Sequence, residues 1–316
     1  MRIVVLDGHL LNPGDNPWTK LERLGELLVF DRTPVRLVAE RAANAEIVLT
    51  NKVPLNAESL AALPQLRFIS VLATGYNVVD VVAAAKRGIP VSNVPIYGTG
   101  TVAQHTFALI LELTNQVGLH NRSVHEGEWE RALDWSYWKS PVVELAGCTL
   151  GLIGGGRIGQ AVGRIGEALG MKVWVADPTP KRLPENWLGK SIEEIFQAAD
   201  VISLHCPQTP TNAGFVNRAL LSTMKPTAFL INTARGGLIV EQDMADALEA
   251  KRLAGAAVDV VSVEPIVSTN PLLRARNCIL TPHIAWSSLE ARRRLMEITV
   301  ENVCAFQRGA PINRVN

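Results

Sequence analysis

Short aliphatic runs alternate with helix-spaced patterns along nearly the whole 316-residue chain. This alternation narrows the fold more than any other feature, because it belongs to strand-helix-strand units whose strands run parallel. In the first part, strands are predicted at residues 3–6, 46–49, 67–71 and 91–93, with helices at 18–24, 35–42, 57–63 and 79–86. In the second part the strands are predicted at 149–153, 172–176, 201–204, 228–232, 256–260 and 278–281. Between the two parts, residues 101–126 read as one long helical stretch without proline, a connector between lobes. The run S-I-E-E from Ser191 to Glu194 is a capping box that starts a helix. Residues 288–308 form a charged amphipathic pattern that returns to pack on the first lobe. A chain of this length exceeds one ordinary core, so two domains are expected: 1–99 with 288–316, discontinuous, and 100–287.

The run T-L-G-L-I-G-G-G-R-I-G ending at Gly159 carries G-x-G-x-x-G at Gly154, Gly156 and Gly159. Alone the motif is weak, but here an apolar strand precedes it and a helical pattern closed by Gly170 follows it. Gly154 suits the tight turn, Gly156 a close approach to a pyrophosphate, and Gly159 close packing of helix on strand. The amides at the helix start, those of Arg157 and Ile158, then face phosphates. Asp177 ends the next strand, where a carboxylate accepts hydrogen bonds from ribose hydroxyls and repels a 2′-phosphate. NAD is therefore expected rather than NADP.

Ligands of open parallel sheets sit beyond the carboxyl ends of the strands. Those ends offer His205, Arg235 in N-T-A-R-G-G, Asp259 and Glu264 in D-V-V-S-V-E-P, and His283 in T-P-H-I-A-W. When a hydride reaches a keto carbon, charge develops on its oxygen, and an imidazolium can supply the proton. Free imidazole titrates near ~6.5, and a carboxylate neighbour favours its charged form. His283 with Glu264 fits that task, and Arg235 suits a two-point grip on a carboxylate or a contact with the carbonyl. Alternatives stand beside these roles. Arg235 and Glu264 can form a plain ion pair, Asp259 can be a buried acid that stabilises loops or touches the nicotinamide ribose, and His205 is a rival acid without an obvious carboxylate partner. His9, His105, His120 and His125 read as structural or solvated, and no His/Cys/Asp grouping has metal spacing, so no metal is expected.

The order and spacing of the glycine loop, N-T-A-R-G-G, D-V-V-S-V-E-P and T-P-H-I-A-W resemble the D-isomer-specific 2-hydroxyacid dehydrogenases, from the N-terminal lobe through the last helix. The resemblance implies an α/β protein of two doubly wound parallel-sheet domains, Rossmann-like and flavodoxin-like, separated by a cleft. It implies a substrate-binding domain at 1–99 with 288–316 and an NAD-binding domain at 100–287. It assigns Arg235, Glu264 and His283 as the catalytic set, and it lays the loop of His205, Cys206 and Pro207 against the cofactor. Further cofactor contacts it implies are Thr211, Thr233, Ala234, Arg235, Asp259, His283 and Ala285. The substrate's carboxylate falls on the backbone amides of Ala73, Thr74 and Gly75, a turn whose successive amides also read as an anion nest, with Arg235 and His283 as further contacts. Trp286 is either an apolar wall beside the substrate or an anchor for the last helix.

Within the family, A-T-G-Y-N-V-V-D at 73–80, V-A-Q-H-T at 102–106 and I-A-W after His283 are most similar to glycerate dehydrogenases, also called hydroxypyruvate reductases. Gln104 and Gly155 depart from the acid and the larger residue that many members carry there. The expected reaction is hydride transfer between NADH and hydroxypyruvate or glyoxylate. The other readings are a dehydrogenase for lactate, ketoisovalerate or keto-gluconate, and an NAD-sensing corepressor-like binding protein.

The 31 Lys plus Arg against 30 Asp plus Glu leave a formal charge of +1, which offers no field to draw nucleic acid or a membrane surface. No apolar run reaches the ~18 residues of a membrane span. The opening M-R-I-V-V-L-D-G-H lacks a signal peptide's pattern, and the four cysteines stand singly in apolar settings. A cytoplasmic enzyme is expected, and the resemblance implies a homodimer built around residues 117–141.

Overall fold

The computed structural model describes residues 1–179 and 183–316, and the chain divides into two compact units, Met1–Gly98 with Trp286–Asn316 and Thr99–Ala285. The first unit holds β1 (Arg2–Val5), α1 (Thr19–Glu22), β2 (Glu26–Val29), α2 (Val38–Arg41), β3 (Ile47–Thr50), α3 (Ala57–Ala61), β4 (Phe68–Val71), α4 (Val81–Lys86) and β5 (Val91–Ser92). The second holds α5 (Thr99–Asn115), α6 (Val117–His125), β6 (Thr149–Ile153), α7 (Arg157–Ala168), β7 (Lys172–Ala176) and β8 (Leu188–Gly189). It continues with α8 (Ile192–Ala198), β9 (Val201–Leu204), α9 (Arg218–Leu221), β10 (Phe229–Asn232), α10 (Glu241–Glu249), β11 (Gly255–Val258) and β12 (Cys278–Leu280), after which α11 (Leu289–Gln307) rejoins the first unit.

Strands β1 to β5 form a parallel sheet of order β2-β1-β3-β4-β5, the flavodoxin-like doubly wound order. Period-two alternation sends Val4, Leu6, Val48 and Ile69 to one face and Ile3, Val5, Ile47, Leu49 and Phe68 to the other. Leu60 and Ala84 cover the first face. On the second, α11 lays Leu295, Met296 and Val303 over the sheet, and each such fully buried aliphatic contributes about 1.5–3 kcal/mol. Arg292 pins this helix by a two-point bond to Asp15, at 2.5 and 2.7 Å.

The second sheet has the order β12-β11-β10-β9-β6-β7-β8, again parallel throughout. Its order reverses between β6 and β9, the switch point of a Rossmann-type sheet. One face packs against Ile195 and Phe196 of α8 and Met244 and Leu248 of α10. The other packs against Phe107, Ile110 and Leu113 of α5 and Val162 of α7. The capping box at Ser191 is present, with reciprocal bonds of 3.1 and 2.8 Å to Glu194.

Two expectations change. The stretch at 101–126 is not one long connector: α5 ends at Asn115, Gln116 turns left-handed at φ +47°, and α6 follows. Glu112 promotes the break by accepting from the Gly118 amide at 3.2 Å, and the buried face of α5 makes it a core helix of the second unit. Strands β2 and β8 escape the sequence pattern. One is a half-exposed edge strand of 4 residues and the other an exposed pair, and neither carries the buried apolar run that identifies a strand.

Candidate active site

Strand register decides which side chains of the second unit meet. Ile153, Leu204, Asn232, Val258 and Leu280 pair in succession across five strands. The residues that follow them, Gly154, His205, Thr233, Asp259 and Thr281, therefore leave the sheet at one level of its carboxyl edge.

At the switch point, Gly154 adopts φ +108°, a region that disfavours side chains. A Cβ on Gly159 would lie 2.1 Å from the Gly154 carbonyl oxygen, so only glycine lets α7 start this close to β6. In front of Gly156 a Cβ would meet nothing within 4 Å. Among the described residues the amides of Gly156, Arg157 and Ile158 donate to no group, so open space and free first-turn donors coincide, as a pyrophosphate requires. Asp177 stands beside this loop. Its Oδ2 accepts from the Gly155 amide at 2.7 Å and its Oδ1 from the Thr179 amide at 2.9 Å. A side chain at Gly155 would press on Val175 and Asp177 at 3.1 and 3.4 Å, which relates the glycine there to the placing of the acid. The residues present fit a dinucleotide.

His205 follows β9 and closes the other side of this crevice, its backbone against Gly154 and its Cβ near Gly159. Its Nε2 pairs with Ser203 Oγ at 2.9 Å. Burial pushes its imidazole down to about 3, so it is neutral in ordinary buffers and unsuited to the rival role of proton donor. Burial likewise pushes the Cys206 thiol up. Pro207 and Thr211 belong to a turn closed by Asn212, whose Oδ1 accepts from the Thr209 amide at 2.7 Å and whose Nδ2 donates to the Pro207 carbonyl at 2.8 Å. Thr211 Oγ1 pairs with Thr209 Oγ1 at 2.9 Å.

The loop after β10 is shaped by Asn232, which accepts from the Ala234 amide at 3.0 Å and donates to the Arg235 carbonyl at 2.9 Å. Arg235 is exposed, with Nη1 on the Ala234 carbonyl at 2.7 Å. A Cβ on Gly236 would sit 1.9 Å from the Val261 carbonyl carbon. That closeness seats the Arg235 loop directly on the segment leading to Glu264. Glu241 at the start of α10 holds the same segment, accepting from the Ser262 amide and hydroxyl, both at 2.7 Å.

His283 Nδ1 lies 2.6 Å from Glu264 Oε2. An ionised carboxylate only accepts, so Nδ1 carries the proton, and among the described residues Nε2 meets no partner. Asp259, fully buried, organises the loop that presents this ring. Its backbone oxygen accepts from the His283 amide at 2.8 Å, and its carboxylate accepts from Thr281 Oγ1 at 2.6 Å and from the Ile284 and Ala285 amides at 2.9 Å each. The Ala285 amide is thus already committed to Asp259. His105, expected to be structural or solvated, reaches Thr281 Oγ1 at 3.2 Å. Neither His105 nor Glu241 carries a local sequence signal for these long-range bonds. Among the described residues no three His, Cys, Asp or Glu side chains gather as a metal group.

In the first unit, the amides of Ala73, Thr74 and Gly75 after β4 donate to no group among the described residues. The turn is tied back by Thr74 Oγ1 to the Val94 carbonyl at 2.8 Å and by Asn93 Nδ2 to the Thr74 carbonyl at 2.7 Å. Trp286 packs edge-on against Tyr97, centroids 6.2 Å apart, beside the core under α11.

The family profile described as D-isomer specific 2-hydroxyacid dehydrogenase, NAD binding domain, matches residues 107–285. The chain is 50% identical over 321 residues to a hydroxypyruvate reductase of Blautia hydrogenotrophica, covering 100% of both chains. It is 41% identical over 285 residues to a glycerate dehydrogenase of Methylorubrum extorquens, covering 90% of this chain and 89% of that one. Among solved structures it is similar to an acyclic imino acid reductase in complex with NADPH and D-Arg, at TM-score 0.88 and 31% identity over 100% of both chains. On this evidence of glycine loop, strand-end residues, fold and relatives, the chain belongs to the D-isomer-specific 2-hydroxyacid dehydrogenases, a family of NAD-dependent oxidoreductases.

Proposed function

We propose that the protein reduces hydroxypyruvate and glyoxylate with NADH, giving D-glycerate and glycolate, through His283 as proton donor. The observation that carries this reading is the 2.6 Å bond from His283 Nδ1 to Glu264, which leaves Nε2 free to donate. Glu264 orients the ring by accepting from Nδ1. Bound NADH supplies the hydride that reaches the substrate's C2. The proton on Nε2 goes to the C2 oxygen, and the ring is reprotonated from solvent. Arg235 steadies the substrate's carbonyl or carboxylate, and the free amides of Ala73, Thr74 and Gly75 take the carboxylate. Residues 99–285 hold the dinucleotide: the first-turn amides of α7 the phosphates, Asp177 the adenosine ribose, and His205, Cys206, Pro207, Thr211, Thr233 and Ala234 the walls. Residues 1–98 with 286–316 form the substrate-binding domain, Trp286 serving as an apolar wall. The relatives named for hydroxypyruvate and glycerate support the choice of acid.

The test is a panel of 2-keto acids followed by loss of NADH absorbance. Hydroxypyruvate and glyoxylate are expected to give the highest kcat/KM, with NADH preferred over NADPH and the preference narrowed in Asp177→Ala. Faster turnover of pyruvate or ketoisovalerate moves the substrate assignment, and an NADPH preference overturns the role of Asp177.

A homodimer is supported by the segment after α6, where Trp129, Leu133, Trp135 and Trp138 are exposed, Trp135 by 88% and Trp138 by 72%. Such an aromatic patch is unusual on a lone protein surface and typical of the centre of a protein interface. Sedimentation is expected to give twice the 34.3 kDa chain mass, falling to one chain in Trp135→Glu/Trp138→Glu. A single-chain mass for the unaltered protein contradicts it. The four unpaired, partly accessible cysteines fit a reducing compartment, and the cytosol is the proposed location. No helix among the described residues is long and apolar enough to cross a membrane.

A further inference from the structure

The loop that presents His283 is held in a backbone conformation uncommon for any residue with a Cβ. His283 has φ +55°, in the left-handed region that a Cβ disfavours. Such a backbone persists only where its surroundings over-determine it. Asp259 supplies part of that determination, but Asp259 and Thr281 are themselves met from below by α5, a helix of 17 residues locked into the core by Phe107, Ile110 and Leu113.

Consecutive residues of this helix reach two different loops. His105 Nε2 lies 3.2 Å from Thr281 Oγ1 and 3.6 Å from Asp259 Oδ1. The Thr281 hydroxyl proton is already given to Asp259 Oδ1 at 2.6 Å. Its oxygen is therefore the acceptor for an N–H on His105 Nε2. The next residue, Thr106, donates to the Val102 carbonyl at 2.8 Å, so its oxygen accepts from Thr233 Oγ1 at 3.0 Å. Thr233 stands two residues before Arg235, and both threonines are buried.

We propose that α5 is a positioning brace: His105, through Thr281 and Asp259, sets the loop carrying His283, while Thr106, through Thr233, sets the loop carrying Arg235. One rigid helix thereby registers the imidazole against the guanidinium. Neither residue touches the reacting atoms, and both are positioning residues. The inference rests on His283 being the proton donor, and a loop displaced by about 1 Å leaves the fold intact while misaligning Nε2.

The test compares His105→Ala, His105→Gln, Thr106→Val, Thr106→Ser and His283→Ala in the full-length protein, reading kcat, KM for hydroxypyruvate, NADH Kd and Tm. In His105→Ala kcat is expected to fall about 10- to 100-fold, the cost of misplacing a reacting group by about 1 Å, with NADH Kd unchanged and KM moving less than kcat. His105→Gln keeps an N–H donor and is expected to recover most of kcat. Thr106→Val is expected to lower kcat and Thr106→Ser to restore it, which keeps the comparison available should His105→Ala not fold. Full kcat in both His105→Ala and Thr106→Val overturns the brace. So does a loss of kcat that tracks Tm, or a His105→Gln no better than alanine. If His283→Ala keeps its turnover, the proton-donor reading itself has failed. If His283→Ala is inactive while the α5 variants are normal, only the brace falls.

Discussion

His283→Ala is expected to lower kcat for hydroxypyruvate about 10²- to 10⁴-fold, the usual worth of a placed proton donor, while NADH still binds. The split follows from where the ring sits. Its Nδ1 is committed to Glu264 at 2.6 Å, and its removal leaves the switch point between β6 and β9, where the open first-turn amides of α7 lie, untouched. Stopped-flow hydride transfer and NADH fluorescence titration check the two halves separately. Glu264→Gln is expected to follow in the same direction with a smaller loss, because the amide oxygen still accepts from Nδ1 but the bond loses its ionised acceptor and orients the ring less firmly. Unaltered turnover in His283→Ala would require another donor. His205 is not available for that role, since burial pushes it down to about 3.

The second large effect is on folding as well as rate. Asp259 accepts four bonds from the segment 281–285, one on its backbone and three on its carboxylate. Asp259→Ala strips the carboxylate from the Thr281 hydroxyl and the Ile284 and Ala285 amides. The Ala285 amide is buried, and leaving it without a partner costs about 1–3 kcal/mol, to which the part-buried Thr281 and Ile284 bonds add, so a loss of about 2 kcal/mol or more is expected in urea denaturation. The left-handed backbone of His283 would relax at the same time, and kcat would fall in the molecules that remain folded. Asp259→Asn keeps the shape and one acceptor oxygen and is expected to lose less. Wild-type stability in Asp259→Ala would show that the loop is held by other means.

Much of this was legible in the sequence because the signals are local. The glycine spacing at Gly154, Gly156 and Gly159 specifies a turn, an open approach and a tight helix start, each a property of a few adjacent residues. The strand ends at His205, Asn232, Asp259 and Thr281 follow from apolar runs whose length sets where the chain leaves the sheet. Resemblance then supplied the pairing of His283 with Glu264. Strand β2 stayed hidden because a half-exposed edge strand needs no continuous apolar run, and the break at Gln116 because neither proline nor a glycine marks that position. Glu241, His105 and Thr106 were invisible for another reason. Each acts by a side-chain bond to a residue 21 or more positions away, and only the register of β10, β11 and β12 brings the partners together.

In the proposed reaction the Nε2 of His283 faces the oxygen that gains the proton. A crystal structure with NAD and D-glycerate measures this directly. The account predicts Nε2 within about 2.6–3.2 Å of the C2 hydroxyl oxygen, with the carboxylate on the amides of Ala73, Thr74 and Gly75. A C2 hydroxyl bonded to some other donor, with His283 turned away from it, would contradict the account.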